Sequence, residues 1–145
     1  MKRILFAAVF PIFFSACTFR SAASLYNEGN ELYREGRFTE AADRYKEALE
    51  KDPSPGLTAR IYFNAGNASV KEALASSGES ADLSSADSEN RLRQALELYC
   101  LAQACCSESF AAAAVNAEWV RVRLSGSEQN SEEQNSEEQN SEEQN

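Results

Sequence analysis

The 145-residue chain contains no histidine. That removes the commonest general base, most catalytic triads and most zinc sites together. It also has no glycine-rich loop of the kind that cradles phosphates. A catalytic site would have to use a carboxylate pair, and Glu28, Glu31 and Glu35 instead read as the charged face of a helix. No catalytic residue, metal or cofactor is expected. A basic stripe is missing as well, so nucleic acid is not an expected partner. No apolar run is long enough for a permanent membrane span. The longest, Ile4 to Phe14, has eleven residues, against at least about 17 for a spanning helix.

The formal charge of −9 is unevenly spread. Two of the 14 bases, Lys2 and Arg3, stand at the N-terminus, and seven of the 23 acids fall in the last 19 residues, where there is no base. The middle of the chain therefore holds twelve bases against sixteen acids. It is long enough for one domain with one modest core.

The opening "MKRILFAAVFPIFFSAC" has a basic start, an apolar stretch and then Ser15-Ala16-Cys17. This is the pattern of a secretory signal. The small residues before Cys17 resemble the lipobox of bacterial lipoproteins, although Phe14 stands where that family prefers Leu. The resemblance implies a signal peptide over 1–16, cleavage before Cys17 and acylation of that cysteine, with 17–22 as a lipidated tether. A palmitate-type anchor of two or three chains would hold the protein on a membrane almost permanently. The alternatives are an ordinary signal peptide cut nearby and an uncleaved anchor.

From Ala22 the chain reads "AASLYNEGNELYREGRFTEAADRYKEALEKDP". Its apolar and small positions recur every three to four residues in two halves, as in a pair of amphipathic helices. Gly36 separates the halves and suits a left-handed helix end. Pro53 closes the unit. Gly29 is expected opposite Ala41, where two backbones approach closely. "YNEGN" at 26–30 returns as "YFNAGN" at 62–67 and, blurred, as "AVNAEW" at 114–119. Ala95, Tyr99 and Ala102 repeat the spacing of Ala41, Tyr45 and Ala48.

The first of these units closely resembles a tetratricopeptide repeat. Gly29, Gly36, Phe38, Ala41, Tyr45, Ala48 and Pro53 all fall where the 34-residue consensus of that family places them. The expected fold is all-α: a short helical-hairpin solenoid over 23–125. Repeat one covers about 22–55. Repeat two covers about 57–106, its internal turn lengthened by an insertion at 76–90. A capping helix covers about 109–124, and a disordered acidic tail of SEEQN units covers 126–145. Each hairpin hides one flank and exposes another, so stacked neighbours are needed to complete the core. Self-association, giving a homo-oligomer, is another way to cover an open flank.

In this family the first helix of each repeat lines a concave groove that holds a peptide or a partner's helix. The resemblance carries this onto Ala23, Tyr26, Asn30, Tyr33 and Arg34 of repeat one and Arg60, Phe63, Asn67, Val70 and Lys71 of repeat two, with Trp119 or Arg123 at one end. The asparagine amides offer both a donor and an acceptor to a peptide backbone. The alternative for Asn30 and Asn67 is local hydrogen bonding or plain solvation. Asn27 and Asn64 are expected to bond within their own hairpins. Tyr33, Phe38, Tyr45, Tyr62 and Tyr99 read as packing residues. Cys100, Cys105 and Cys106 are poorly spaced for bridges and read as small buried residues, with crosslinking or redox sensing as the alternative. The implied function is a membrane-anchored envelope lipoprotein that scaffolds another protein. The second reading is an accessory docking subunit of an envelope transport or secretion system.

Overall fold

The computed structural model describes residues 20–76, 85–105 and 111–142, with side chains as far as 126. Five helices follow in order: α1 (Ala22–Arg34), α2 (Phe38–Leu49), α3 (Pro55–Ser76), α4 (Ala86–Cys105) and α5 (Ala111–Glu142). No strand occurs among the described residues. Each helix packs on the next in sequence, and α1 also touches α3. That is the arrangement of stacked antiparallel hairpins.

Local chemistry sets the helix ends. Ser21 caps α1, its hydroxyl accepting from the Ser24 N–H at 3.2 Å. At the other end of α1, Gly36 takes a left-handed φ of 78°. Its N–H donates to the Tyr33 carbonyl, and the Arg37 N–H reaches back to that of Leu32. This pair of bonds satisfies carbonyls the helix leaves open and turns the chain into α2. Asp52 turns the chain after α2 with φ 50°, a conformation aspartate tolerates better than most residues. Pro55 then opens α3, where its missing N–H costs nothing. Ser85 caps α4 by accepting from the Ser88 N–H at 3.3 Å, and the buried Ser88 hydroxyl donates to the Ala73 carbonyl of α3.

Two packed clusters form the core. The first joins Leu25, Ala41, Tyr45 and Ala48 to Ile61 and Ala65 of α3. The second sets Ala73, Leu92, Ala95, Tyr99 and Ala102 against Ala113, Ala117, Val120 and Leu124 of α5. The two glycines of the repeated phrase serve the same purpose in both. A Cβ on Gly29 would lie 2.5 Å from Tyr45 Cε1, and one on Gly66 would lie 2.7 Å from Tyr99 Cε1. So Gly29 makes room for the Tyr45 ring. In α5 the corresponding residue is Glu118, exposed and ion-paired to Arg121 at 3.3 Å. No further ring can lie there, and the stack of hairpins ends.

The structure corrects several expectations. The insertion 76–90 is shorter than the sequence indicates, because α3 runs to Ser76 and α4 begins at Ala86. The serine-rich start of α4 conceals a cap and a buried hydroxyl rather than a loop. Ala22 already belongs to α1 rather than to a tether. The tail is not disordered from 126: α5 continues as a helix to Glu142, so Gly126 does not end it. Glutamate and glutamine are good helix formers, and extending an existing helix avoids the cost of starting one. Cys100 is exposed and Cys105 half-buried, both as free thiols. The proposed signal peptide 1–16, Cys17, positions 77–84 of the insertion, Cys106 and positions 109–110 of the expected capping helix lie outside the described residues. No described helix is long and apolar enough to cross a membrane.

Candidate partner-binding groove

The first helices of the successive units, α1, α3 and α5, stand side by side, and a ladder of polar contacts joins them. The Tyr45 hydroxyl donates to Asn30 Oδ1 at 2.9 Å, and Asn64 Nδ2 donates to the same oxygen at 2.8 Å. One unit along, Tyr99 donates to Asn67 Oδ1 at 2.8 Å and Asn116 Nδ2 donates to it at 3.0 Å. Asn64 also donates to the Tyr26 hydroxyl at 3.1 Å. The ring contacts repeat with the hydrogen bonds. Tyr26 lies 6.0 Å from Tyr45, and Phe63 lies 5.9 Å from Tyr99. Here is the physical reason for the repeated phrase. Its first asparagine (64 or 116) reaches back to the preceding unit, and its last (30 or 67) receives the next one. Asn64 therefore bonds between hairpins, contrary to the expectation that it stays within its own.

An amide oxygen has two lone pairs. In Asn30 and Asn67 both are occupied by these contacts, which leaves the Nδ2 protons as the polar groups available to a ligand. The sequence reading credited these residues with a free acceptor as well, and the structure removes it. Burial pushes the hydroxyls of Tyr45 and Tyr99 up to about 12, so both remain donors at neutral pH.

Two hollows lie along this face. One, of about 200 Å³, is lined by Asn30, Tyr33, Arg34, Tyr45 and Asn64. The other, of about 280 Å³, is lined by Tyr33, Asn67, Val70, Lys71, Leu74, Tyr99, Asn116 and Trp119. Tyr33 is common to both and makes them one groove. Its ring is held edge-on to Phe38 at 5.2 Å, and burial raises the pKa of its hydroxyl. Arg34 is exposed and paired to Glu31 at 2.5 Å. Arg123 stacks over the Trp119 ring, 5.0 Å from its centroid.

Of the ten groove residues expected on α1 and α3, the structure brings Asn30, Tyr33 and Arg34 into the first hollow and Asn67, Val70 and Lys71 into the second, while Ala23 is exposed and lines neither. Tyr26 and Phe63 are half-buried against Tyr45 and Tyr99 and line neither hollow. Arg60 is exposed in the first two turns of α3 and stands apart from both. The sequence reading missed Leu74. This residue follows Val70 by four, but lies where α3 was expected to end.

A larger hollow of about 350 Å³ opens at the turn ends of the helices, beside Gly36, Phe38, Glu72 and Arg91. Its charged groups are mostly matched to one another: Arg37 to Glu35 and Glu40, and Arg91 to Glu72. Only Glu72 Oε1 is buried there without a hydrogen-bond partner among the described residues. This hollow therefore presents less free recognition chemistry than the groove.

Comparison with protein families matches residues 22–55 to the tetratricopeptide repeat. No curated protein and no solved structure matches the chain. The matched segment is α1 and α2 with the turn that leads into α3, and the same ring, glycine and asparagine contacts recur in the next unit. Residues 22–55 thus match a tetratricopeptide repeat, and the described residues form a short stack of helices in which the contacts of that unit recur once more.

Proposed function

We propose that the protein is a lipid-anchored adaptor of the bacterial envelope that docks a segment of another protein in the groove along α1, α3 and α5. The repeat makes the chain a protein–protein interaction module. The observation that carries the finer reading is the pair of hollows joined at Tyr33, with amide donors and cations beside the exposed Leu74 and Trp119. Exposed aromatics with nearby donors are the usual chemistry of interface anchors. The anchor rests on the sequence around Cys17, and its test is incorporation of labelled fatty acid, expected in the native chain and lost in Cys17→Ser.

The groove is tested by crosslinking and pull-down from membranes. Asn30→Ala and Asn67→Ala would break the ladder as well as the groove, so the informative variant is Arg34→Ala with Lys71→Ala, both exposed. We expect the neighbours captured by the native protein to be recovered at a clearly lower yield. Equal recovery would remove the groove from the function.

A further inference from the structure

The cap end of the groove breaks the pattern that builds the rest. In the repeated phrase Trp119 stands where Asn30 and Asn67 stand, so a large ring replaces the third ladder asparagine. With Val70, Leu74 and Tyr33 it gives the second hollow an apolar wall. Leu74 of α3 and Trp119 of α5 remain 37% and 38% exposed.

The polar side of this hollow is one-signed. No acidic residue lines it, and Lys71 is the charged group among its lining residues. Asn67 Oδ1 is already doubly engaged, which leaves a donor. Arg123, held over the Trp119 ring, adds a second cation beside it. A volume of about 280 Å³ falls just below the usual range for small-molecule sites, roughly 300–1,000 Å³. That suits one large side chain with its flanking backbone better than a whole cofactor.

From these observations we infer that this hollow selects a peptide segment in which one large apolar side chain is flanked by carboxylates. The side chain sits between Leu74 and Trp119, and a carboxylate meets Lys71. The inference rests on the groove reading above and names the chemistry of its ligand. The chain's own SEEQN units do not qualify, because they supply the acids without any apolar side chain.

Trp119 is the one tryptophan of the chain, so its emission reports directly on the hollow. The full chain is titrated with four blocked pentapeptides: phenylalanine between two glutamates, phenylalanine between two lysines, alanine between two glutamates, and SEEQN. The first should shift Trp119 emission and bind at least about tenfold more tightly than the alanine peptide, as expected when a central hydrophobic anchor is removed. It should bind about two- to fivefold more tightly than the lysine peptide, the scale of an exposed ion pair. Lys71→Glu should reverse the charge preference, and Leu74→Ser should reduce the advantage of phenylalanine. Both residues are exposed, so neither variant should disturb folding, and circular dichroism checks this. The inference is overturned if the alanine or SEEQN peptide binds as tightly as the first, if Lys71→Glu leaves the charge order unchanged, or if no peptide moves the emission. Any of these results alongside lost capture by the Arg34/Lys71 variant would leave the groove reading standing without this ligand chemistry.

Discussion

Tyr45 makes three contacts with one side chain, and Tyr99 repeats them one unit later. The ring lies on a glycine, meets an aromatic ring of the preceding helix and donates its hydroxyl to an asparagine. Tyr99→Phe keeps the first two contacts and removes the third, leaving Asn67 Oδ1 with Asn116 alone. The expected cost is about 1 kcal/mol at pH 7, the net worth of a typical hydrogen bond, read from the urea midpoint. The pH dependence has a definite sign. Tyrosine in the unfolded chain ionises near 10, and burial moves Tyr45 and Tyr99 to about 12. The folded state keeps its protons longer, so the stability from these hydroxyls is complete below pH 10 and drains away as pH rises from 10 through 12. Tyr99→Phe should therefore lose less stability than the native chain between pH 10 and 12, and an equal loss would contradict this assignment. Both tyrosines were legible in the sequence as packing residues, because they recur at helical spacing. The ladder was not legible. Whether an asparagine oxygen faces solvent or a buried hydroxyl depends on how two helices cross, and a composition pattern does not encode that.

At the scale of elements, the sequence is most informative where a helix must bury one face. Apolar spacing located α1 and α2 closely, and Gly36 marked the turn between them. The start of α4 and the length of α5 were misread for related reasons. Serines suggested a loop at 76–90, yet Ser85 caps α4 and Ser88 bonds across to α3. The SEEQN units have no apolar face, which excludes packing but not helix. Among the described side chains the last of α5 to enter the core is Leu124, and the helix continues to Glu142. Gly126 stands at the middle of this 32-residue helix. Ending the chain after Gly126 should accordingly remove helical signal at 222 nm corresponding to about half of α5, while the melting temperature stays within about a degree. A truncation that lowers the melting temperature by several degrees would mean that the distal half of the helix packs on the body. An unchanged helical signal would mean that it is not helical in solution.

For the molecule as a whole, α5 up to Leu124 has a different role from its extension, because it closes the second core cluster. Ala113, Ala117, Val120 and Leu124 are all buried, the first three completely, and Asn116 completes the second rung of the ladder. Without them Ala73, Leu92 and Tyr99 would meet water. Burying a valine or leucine side chain contributes about 1.5–3 kcal/mol, and each alanine contributes less. Together with the lost rung, the four residues account for roughly 5 kcal/mol. A small domain has only about 5–15 kcal/mol in total, so ending the chain at Cys105 should abolish cooperative unfolding or drive aggregation. In a repeat stack the damage spreads from the open end, because each unit leans on its neighbour. The first hairpin, whose core cluster needs Ile61 and Ala65 of α3, should keep residual helicity longest. Hydrogen exchange on the shortened chain would show this as slow amides confined to α1, α2 and the first half of α3. Uniform protection equal to that of the native protein would mean that the hairpins are stable alone, and that the capping role assigned to α5 is wrong.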